Sequence, residues 1–369
     1  MNKKRKSILI ISFSNHEKDI RIIRHKNFFK NNNFLVNSIS IKDVKKDRFN
    51  LFNKIKFLLY QFISIEKAVE IIHGKYKGKI NRQYDVIQCN DWRTLPLGYK
   101  FLLNCKKAFF IYDSHELAVK EYNHSLKWNV FFRFLIYRIE NKYLKFVNLI
   151  STVENNIALE LSYRVGKKII VVRNIPFISD GLDIKKKAEK FINFPIKIYH
   201  HGGYMAGRNI EEFINAVILF PEKFQLYLRL TGNIKSLKEK YIKYKNIIFL
   251  DPVKPEEVLY TCFNYDIGFP IIEPVTGNWK FALPNKFFEN ICSGLPVIVT
   301  KKNISMFNYV DQYNIGFIAD NYKINSFIEL LSSITLDEVK QITDNLQHYK
   351  GKLSGINEWS RYLKYINYE

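Results

Sequence analysis

Short runs of consecutive apolar residues alternate along this chain with longer stretches in which apolar residues recur every three or four positions. Continuous runs are typical of strands buried on both faces, and the wider spacing is typical of helices. The predicted strands are residues 7–12, 35–41, 84–89, 108–112, 149–152, 168–172, 196–200, 226–231, 247–250, 267–272 and 296–300. Strands that alternate with helical stretches predict an α/β protein with parallel sheets.

Two helical stretches are both basic and rich in large apolar residues. Residues 49–72 have apolar residues at helical spacing among lysines, namely Phe52, Ile55, Leu59, Phe62 and Ile63. Residues 125–146 form a second predicted helix of this kind. Such a helix can lie on a membrane surface, and it can equally pack its apolar stripe on a sheet. A third helix is predicted at 356–368.

Residues 266–300 combine a strand, a loop, a helix and a second strand. The fixed φ of Pro284 suits the start of a helix over 285–292, where its missing N–H costs nothing. Gly294 fits the left-handed position that ends such a helix, and Pro296 prevents its continuation. The segment therefore presents a helix N-terminus after a buried strand.

The start of this helix is a candidate anion site. Backbone N–H groups and the helix dipole favour phosphate there, and Lys286 adds a full positive charge. Glu289 lies four residues after Asn285, so both side chains leave the same face. A carboxylate at that position can accept two hydrogen bonds from a vicinal diol such as a ribose. The alternative is an ordinary crossover with Lys286 and Glu289 at its surface.

The length of 369 residues predicts two domains, and 47% hydrophobic residues are enough for packed cores. The predicted domains are 1–176 and 195–345, joined by a linker at 177–194 and followed by a terminal segment at 346–369. The four cysteines show no metal-binding or disulfide spacing, which indicates buried thiols in a reducing compartment. No run approaches the length of a membrane span.

The net charge of +23 is concentrated in the first part of the chain. Residues 1–150 have 30 Lys and Arg against 12 Asp and Glu, a net charge of +18, and the remainder has +5. A uniform coding bias toward lysine would not produce this asymmetry. The charge therefore indicates an anionic partner, which is membrane lipid, nucleic acid or an anionic substrate.

Polar residues follow several predicted strands at their carboxyl ends, where open α/β sheets bind ligands. Asp19 and Arg21 follow the first strand, either as ligand contacts or as a capping Asp and a solvated Arg. Asp91 ends the third strand, and His115 follows the fourth within the sequence DSHE. No glycine-rich dinucleotide motif is present, which argues against NAD or FAD.

The segment LPNKFFENICSGLPVIV resembles the donor-site segment of retaining glycosyltransferases with the GT-B fold, in glycosyltransferase family 4. DSHE resembles a signature of one bacterial subgroup, and Arg173-Asn174-Ile175-Pro176 resembles the exit from the first domain. The resemblance implies two doubly wound Rossmann-like domains that face a cleft. It also implies a C-terminal helix that crosses back to the first domain.

The resemblance also implies roles for individual residues. It makes His115, Arg208 and Lys286 catalytic and places Arg208 at the donor diphosphate. The alternative for Arg208 is a solvated residue at the start of a helix. Donor binding is assigned to Gly202, Gly203, Arg208, Gly232, Leu283, Pro284, Asn285, Lys286 and Glu289. The acceptor side is assigned to Asp19, Arg21, Asp91 and His115.

One family residue is missing from this chain. The family has a second glutamate eight residues before Glu289, where this chain has Phe281. Asn278, Trp279 or backbone groups at Leu283 and Pro284 are candidates to replace the contact that this glutamate makes to the donor sugar.

The implied reaction moves a hexose from a UDP- or GDP-linked donor to a hydroxyl of a glycan or lipid-linked acceptor, with retention. No cofactor and no metal are expected, since there is no D-x-D pair. The expected place is the cytoplasm, at the inner face of the membrane, in surface polysaccharide or glycolipid synthesis. An inverting transferase, a sugar-nucleotide epimerase and a nucleic-acid binder remain alternatives, although no nucleic-acid motif is present.

Overall fold

The chain forms two compact units of α/β structure. The computed structural model describes residues 5–17, 19–41, 51–74, 76, 78–122, 125–126, 128–177, 192–204, 209–349 and 353–366. The first unit contains the residues up to Arg173, with Thr276–Asn278 and the segment from Ile356 onward. The second unit contains Asn174–Val275 and Trp279–Gly355. The predicted linker at 177–194 lies largely outside the described residues.

The first unit is built on a six-stranded parallel sheet with the order β2-β1-β3-β4-β5-β6. Its strands are β1 (Ser7–Ser12), β2 (Leu35–Ser40), β3 (Val86–Asn90), β4 (Phe109–Ser114), β5 (Leu149–Thr152) and β6 (Ile169–Val171). Its helices are α1 (Ile20–Asn31), α2 (Leu51–Ile63), α3 (Ile65–His73), α4 (Leu95–Asn104), α5 (Arg133–Tyr143) and α6 (Asn155–Val165). The chain reverses direction across the sheet between β1 and β3, where such sheets bind ligands.

The second unit has a parallel sheet of its own, with the order β12-β11-β10-β7-β8-β9. Its strands are β7 (Ile196–Gly203), β8 (Phe224–Thr231), β9 (Ile247–Leu250), β10 (Ile267–Gly268), β11 (Val297–Thr300) and β12 (Gly316–Ala319). Its helices are α7 (Ile210–Ile218), α8 (Lys235–Tyr241), α9 (Val258–Cys262), α10 (Asn285–Cys292), α11 (Ile304–Tyr313), α12 (Ile324–Ser333) and α13 (Leu336–Tyr349). Here the reversal falls between β7 and β10.

The chain ends in two short helices, α14 (Gly355–Trp359) and α15 (Arg361–Ile366), and from Ile356 onward it belongs to the first unit. Trp359 and Tyr362 are completely buried there. The predicted single helix at 356–368 is therefore divided near Ser360, and its last two residues lie outside the described residues. The return of the C-terminus to the first unit, which the resemblance implies, is confirmed.

The prediction of one helix over 49–72 is wrong, because the chain divides it at Ser64. Ser64 has extended backbone angles (φ −154°, ψ 103°), and its side chain accepts a hydrogen bond from the Lys67 N–H at the start of α3. Serine favours such capping positions because its hydroxyl replaces a missing helical partner. Residues 49 and 50 lie outside the described residues.

Two other predicted elements are interrupted for local reasons. The 125–146 stretch has a π-helical turn over Trp128–Phe132 before α5, so it is not one regular helix. The strand predicted at 267–272 pairs only through Ile267–Gly268, although its apolar residues stay buried. Pro270 has no N–H to continue the ladder, which explains the early end.

Core residues of the second unit come from both faces of its sheet. Ile198, Leu226, Leu228, Phe213 and Ile214 belong to one buried cluster, with α7 packed on β7 and β8. Phe287, Phe288 and Ile291 of α10 belong to another cluster with Val297 and Val299 of β11. All four cysteines are buried and free of disulfides. Among the described residues, no helix has the length and apolar character to cross a membrane.

We predict that Gly316→Ala destabilises the second unit. A Cβ at Gly316 would lie 2.1 Å from the backbone oxygen of Val297 on the paired strand, and backbone cannot move aside as a side chain can. Overpacking of this kind costs about 1–3 kcal/mol. Urea denaturation measures the loss.

Gly203→Ala is the matched control, since a Cβ there has only Thr231 Oγ1 within 4 Å, at 3.9 Å. An equal loss of stability in both variants would show that the strand contact at Gly316 is not the cause.

Candidate active site

A pocket of about 240 Å³ opens at the carboxyl ends of β1, β3 and β4 in the first unit. Its chemically distinctive lining residues are four carboxyl groups and four aromatic rings: Asp19, Asp91, Glu116, Glu121, Phe13, Trp92, Tyr112 and Tyr122. Carboxylates accept hydrogen bonds from hydroxyl groups, and aromatic faces pack on apolar ring surfaces. The pocket is therefore suited to a compact, hydroxyl-rich molecule.

Three of the four predicted acceptor-side residues line this pocket, namely Asp19, Asp91 and His115. Asp19 also caps α1, since its side chain accepts hydrogen bonds from the N–H groups of Arg21 and Ile22. Arg21 does not line the pocket. It is buried and donates to both carboxylate oxygens of Asp113 at 2.7 Å, so the alternative of a solvated Arg is wrong.

Asp91 and Arg93 form one wall of the pocket. Asp91 has a left-handed backbone (φ 82°), and its side chain accepts hydrogen bonds from the backbone and guanidinium of Arg93 at 2.9 and 2.5 Å. The Arg93 guanidinium lies over the ring of Trp92, 4.5 Å from its centroid, and 3.6 Å from a carboxylate oxygen of Glu121. Arg93 and Glu121 were not predicted from the sequence. Only the proximity of Arg93 to Asp91 in the sequence NDWR could have indicated a role.

Glu121 lies in this pocket with Glu116 and Arg93. Burial, followed by the charge of Glu116, raises the pKa of Glu121 to about 8, and Arg93 only partly opposes this rise. Glu121 therefore holds its proton through much of the neutral range. A protonated carboxyl group can donate a hydrogen bond as well as accept one.

His115 lies at the edge of the pocket beside a buried carboxylate. Its Nε2 is 2.9 Å from Asp113 Oδ2, and 27% of its side chain is exposed. The sequence placed His115 correctly at the end of a strand. It did not indicate that Asp113, two residues earlier, points inward and contacts the same histidine.

In the second unit, there is open space beside the backbone at the end of β7. Gly202 has φ 117°, a value that side chains rarely adopt, and a Cβ built there would meet nothing within 4 Å. Gly203 follows it at the end of the strand, and Gly232 has φ 100° after β8. Glycine is required by the backbone at Gly202 and Gly232, and it leaves room for a ligand to approach the main chain.

Helix α10 places Glu289 against the end of β7. Phe287, Phe288 and Ile291 anchor the helix in the core, while Leu283 just before it is buried. Glu289 is only 3% exposed, and its Oε2 lies 3.0 Å from His201 Nε2. The alternative of a surface glutamate is therefore wrong. His201 was also missed, and its position beside the glycines in HHGG was the available signal.

The start of α10 agrees with its sequence signals. Pro284 occupies the N-cap position (φ −70°, ψ 159°), the helix begins at Asn285, and Gly294 has the predicted left-handed φ of 75°. Pro284, Asn285 and Lys286 are half-buried. Lys286 therefore lies in the first turn, where the helix dipole favours an anion.

The predicted residues not yet described are Arg208, Asn278 and Trp279. Arg208, assigned to the donor diphosphate, lies outside the described residues. Asn278, a candidate to replace the missing glutamate at Phe281, is buried in the first unit, where its side-chain oxygen accepts a hydrogen bond from the Leu117 N–H at 2.9 Å. Trp279 uses its backbone oxygen to accept a hydrogen bond from Asn303. In the described part of the chain, no three His, Cys, Asp or Glu side chains are grouped as a metal site.

Comparison with known proteins gives matches in structure only. No protein-family model matches the chain, and a search of curated proteins found no match. The Anabaena protein Alr3699/HepE, solved with UDP-glucose, is 14% identical, with a TM-score of 0.66 over 99% of this chain and 100% of that chain. A glycosyltransferase from Rickettsia africae is 15% identical, with a TM-score of 0.64 over 99% and 98%.

A UDP-glucosyltransferase from Polygonum tinctorium is also similar in structure, with 10% identity and a TM-score of 0.60 over 99% of both chains. Because these similarities extend over whole chains of two parallel-sheet units, they establish the fold. The predicted fold class, GT-B with two doubly wound α/β domains, is confirmed. Identities this low leave the activity of this chain to be argued from its own residues.

We predict that Glu121→Gln raises the melting temperature by a few degrees at pH 8 and by much less at pH 5. The pKa of Glu121 is higher in the folded protein, about 8, than in the unfolded chain. Its stabilising contribution is therefore complete below the unfolded pKa and is lost as the pH rises toward 8. Glutamine removes this titration.

Thermal unfolding at pH 5, 6.5 and 8 measures the effect. Glu160→Gln, which removes a partly exposed carboxylate paired with Lys120 in the same unit, serves as the control. A gain in melting temperature that does not change with pH would contradict the raised pKa of Glu121.

Proposed function

We propose that this protein is a glycosyltransferase that moves a hexose from a UDP- or GDP-linked donor to a hydroxyl acceptor, with retention at the anomeric carbon. The observation that carries the proposal is the buried pair of Glu289 and His201 at the open, glycine-rich end of β7. A fold shared with proteins solved with UDP and UDP-glucose supports it.

The second unit is the proposed donor site. The Glu289 carboxylate accepts hydrogen bonds from the ribose diol, and His201 holds that carboxylate in place. Gly202 and Gly203 allow the donor to approach the main chain. Lys286, the N-terminus of α10 and Arg208 stabilise the negative charge that builds on the diphosphate as the sugar leaves.

The first unit is the proposed acceptor site. The acceptor oxygen forms a bond to the anomeric carbon while the bond from that carbon to the diphosphate breaks, and its electron pair stays with the nucleotide. The acceptor proton passes to a donor phosphate oxygen, which needs neither a cofactor nor a metal. A hydroxyl-rich pocket suits a glycan or lipid-linked acceptor of surface polysaccharide or glycolipid synthesis.

We also propose that the first unit attaches reversibly to the inner face of an anionic membrane. Helix α2 has an exposed apolar face formed by Phe52, Ile55, Leu59, Phe62 and Ile63, which are between 51% and 75% exposed. Over residues 52–63, the part of this helix whose burial is described, Phe57 is the one buried large apolar residue. Of the two alternatives for this stripe, packing on the sheet is therefore the less well supported.

Basic residues accompany this face. Lys56 lies over the ring of Phe52, the ring of Phe62 packs against Phe134 of α5, and Arg133 is exposed next to Phe134. Together with the net charge of +18 on residues 1–150, this combination favours a negatively charged lipid surface. The apolar side chains would enter the interface, and each nearby Lys or Arg would add about 1 kcal/mol.

We predict that Glu289→Ala weakens the binding of UDP or GDP without unfolding the protein. Loss of charge-assisted hydrogen bonds to a diol costs about 1.5–3 kcal/mol, which is roughly a 10- to 150-fold rise in Kd. Isothermal titration calorimetry with each nucleotide measures it.

Glu211→Ala is the control for this experiment, because Glu211 is a carboxylate of the same unit whose side chain is 42% exposed and pairs with Lys240. An unchanged Kd in a folded Glu289→Ala protein would remove Glu289 from the donor site.

We predict that the protein sediments with vesicles of anionic phospholipid at low salt and is released at high salt, because the attraction acts within about a Debye length. Phe62→Ser should reduce the bound fraction. Leu159→Ser, which replaces a residue of α6 that is 70% exposed, should not.

Equal, negligible sedimentation with neutral and anionic vesicles would contradict the proposed attachment to an anionic membrane. A dimer in gel filtration that Phe62→Ser dissociates would instead assign the α2 face to self-association.

A further inference from the structure

Asp113 is the centre of a buried polar network at the end of β4. The residue is completely buried, and three side chains donate hydrogen bonds to its carboxylate. Arg21 donates to both oxygens at 2.7 Å, and Ser151 and Tyr362 donate to Oδ1 at 2.6 and 3.1 Å. His115 Nε2 lies 2.9 Å from Oδ2, off the line of an ideal hydrogen bond.

This carboxylate stays ionised despite its burial. Burial by itself raises the pKa of Asp113, but the charge and hydrogen bonds of Arg21 and the contact with His115 outweigh it and hold that pKa well below its usual range. The neighbouring His25 stays neutral, because burial holds the pKa of His25 well below its ordinary value. Arg21 and Asp113 are therefore the fixed charges of this buried centre.

An ionised carboxylate determines which ring nitrogen of His115 carries a proton. Its oxygens only accept hydrogen bonds, so a proton-free Nε2 at 2.9 Å would place two lone pairs against each other. The neutral ring therefore has its proton on Nε2 and its free lone pair on Nδ1. Because the ring lines the pocket, Nδ1 is the nitrogen left for a ligand.

The C-terminal helices complete this arrangement. Tyr362 of α15 donates to Asp113, and its hydroxyl lies 2.8 Å from Ser151 Oγ. Trp359 of α14 contacts Arg21 with its ring face and His25 edge to face, with centroid distances of 5.4 and 4.5 Å. The end of the chain therefore supplies two of the side chains that confine the Arg21–Asp113 pair.

We propose that Asp113, supported by Tyr362, is a positioning residue that holds His115 with its proton on Nε2, so that His115 Nδ1 accepts a hydrogen bond from a hydroxyl of the acceptor other than the one that reacts. The tautomer follows from the Asp113 contact alone, and the role toward the acceptor rests on the proposed function. Asp113 itself does not contact the acceptor.

NMR of protein labelled with ¹⁵N-histidine tests the tautomer directly, with His115→Gln used to assign the signal. We expect an Nε2–H of His115 that is protected from exchange with water and a proton-free Nδ1. His200 is an internal control of opposite type, since its Nδ1 faces the backbone oxygen of Phe269 at 2.6 Å and must carry the proton there. A His115 signal with the proton on Nδ1 would overturn the proposal.

Asp113→Asn tests whether Asp113 is the residue that holds the proton on His115 Nε2. We expect the protected Nε2–H signal to be lost and transfer to fall by roughly 100-fold, the scale of a misplaced catalytic group, with UDP affinity unchanged. Tyr362→Phe, which removes only one donor to Oδ1, should raise the acceptor KM more than it lowers kcat. It also keeps the test open if Asp113→Asn does not fold. A protected Nε2–H and full transfer that persist in the folded variants would overturn the proposal.

Different results would contradict the proposed function and the proposed role of Asp113. Failure of every nucleotide sugar to support transfer by the unmodified protein would contradict the proposed function, whereas the NMR result would still decide the role of Asp113 in holding the ring. If transfer occurs but Asp113→Asn changes the donor Kd as much as the acceptor KM, the role of His115 toward the acceptor is wrong.

Discussion

Both candidate sites depend on the parallel direction of the strands in each sheet. When every strand runs the same way, all carboxyl ends meet at one edge, and the loops that follow them converge. In the first unit this brings the loops after β1, β3 and β4 around one pocket, although Asp19, Asp91 and His115 are far apart in the sequence. In the second unit it brings His201 at the end of β7 to Glu289, 88 residues later.

Buried charge is the second constraint on the first unit. An ionised carboxylate costs several kcal/mol to bury unless a cation and hydrogen bonds compensate it. Asp113 obtains that compensation from three separate parts of the chain: Arg21 in α1, Ser151 in β5 and Tyr362 in α15. The same interactions that make the burial possible therefore join the N-terminal helix, the sheet and the C-terminus around the residue that contacts His115.

The first part of the chain has a strongly positive net charge, but the pocket of the first unit is lined by carboxyl groups. Residues 1–150 carry a net charge of +18, yet the pocket is lined by four carboxyl groups and by the guanidinium of Arg93. The sequence could suggest an anionic substrate for this half of the chain, but the pocket favours a ligand rich in hydroxyl donors. Lys56 and Arg133 instead lie beside exposed apolar residues of α2 and α5, which is why we propose a surface, and not a ligand of the pocket, as the anionic partner.

Much of the fold was determined by the sequence alone, because continuous apolar runs and the Pro284–Gly294 signals are local properties of the backbone and of burial. They located most of the strands and the whole of α10. Local signals could not show that Ser64 would start a new helix, or that the apolar residues of α2 would stay exposed. Nor could they pair Glu289 with His201, or turn Arg21 inward to Asp113. Such pairs depend on which distant segments meet, and only tertiary packing determines that.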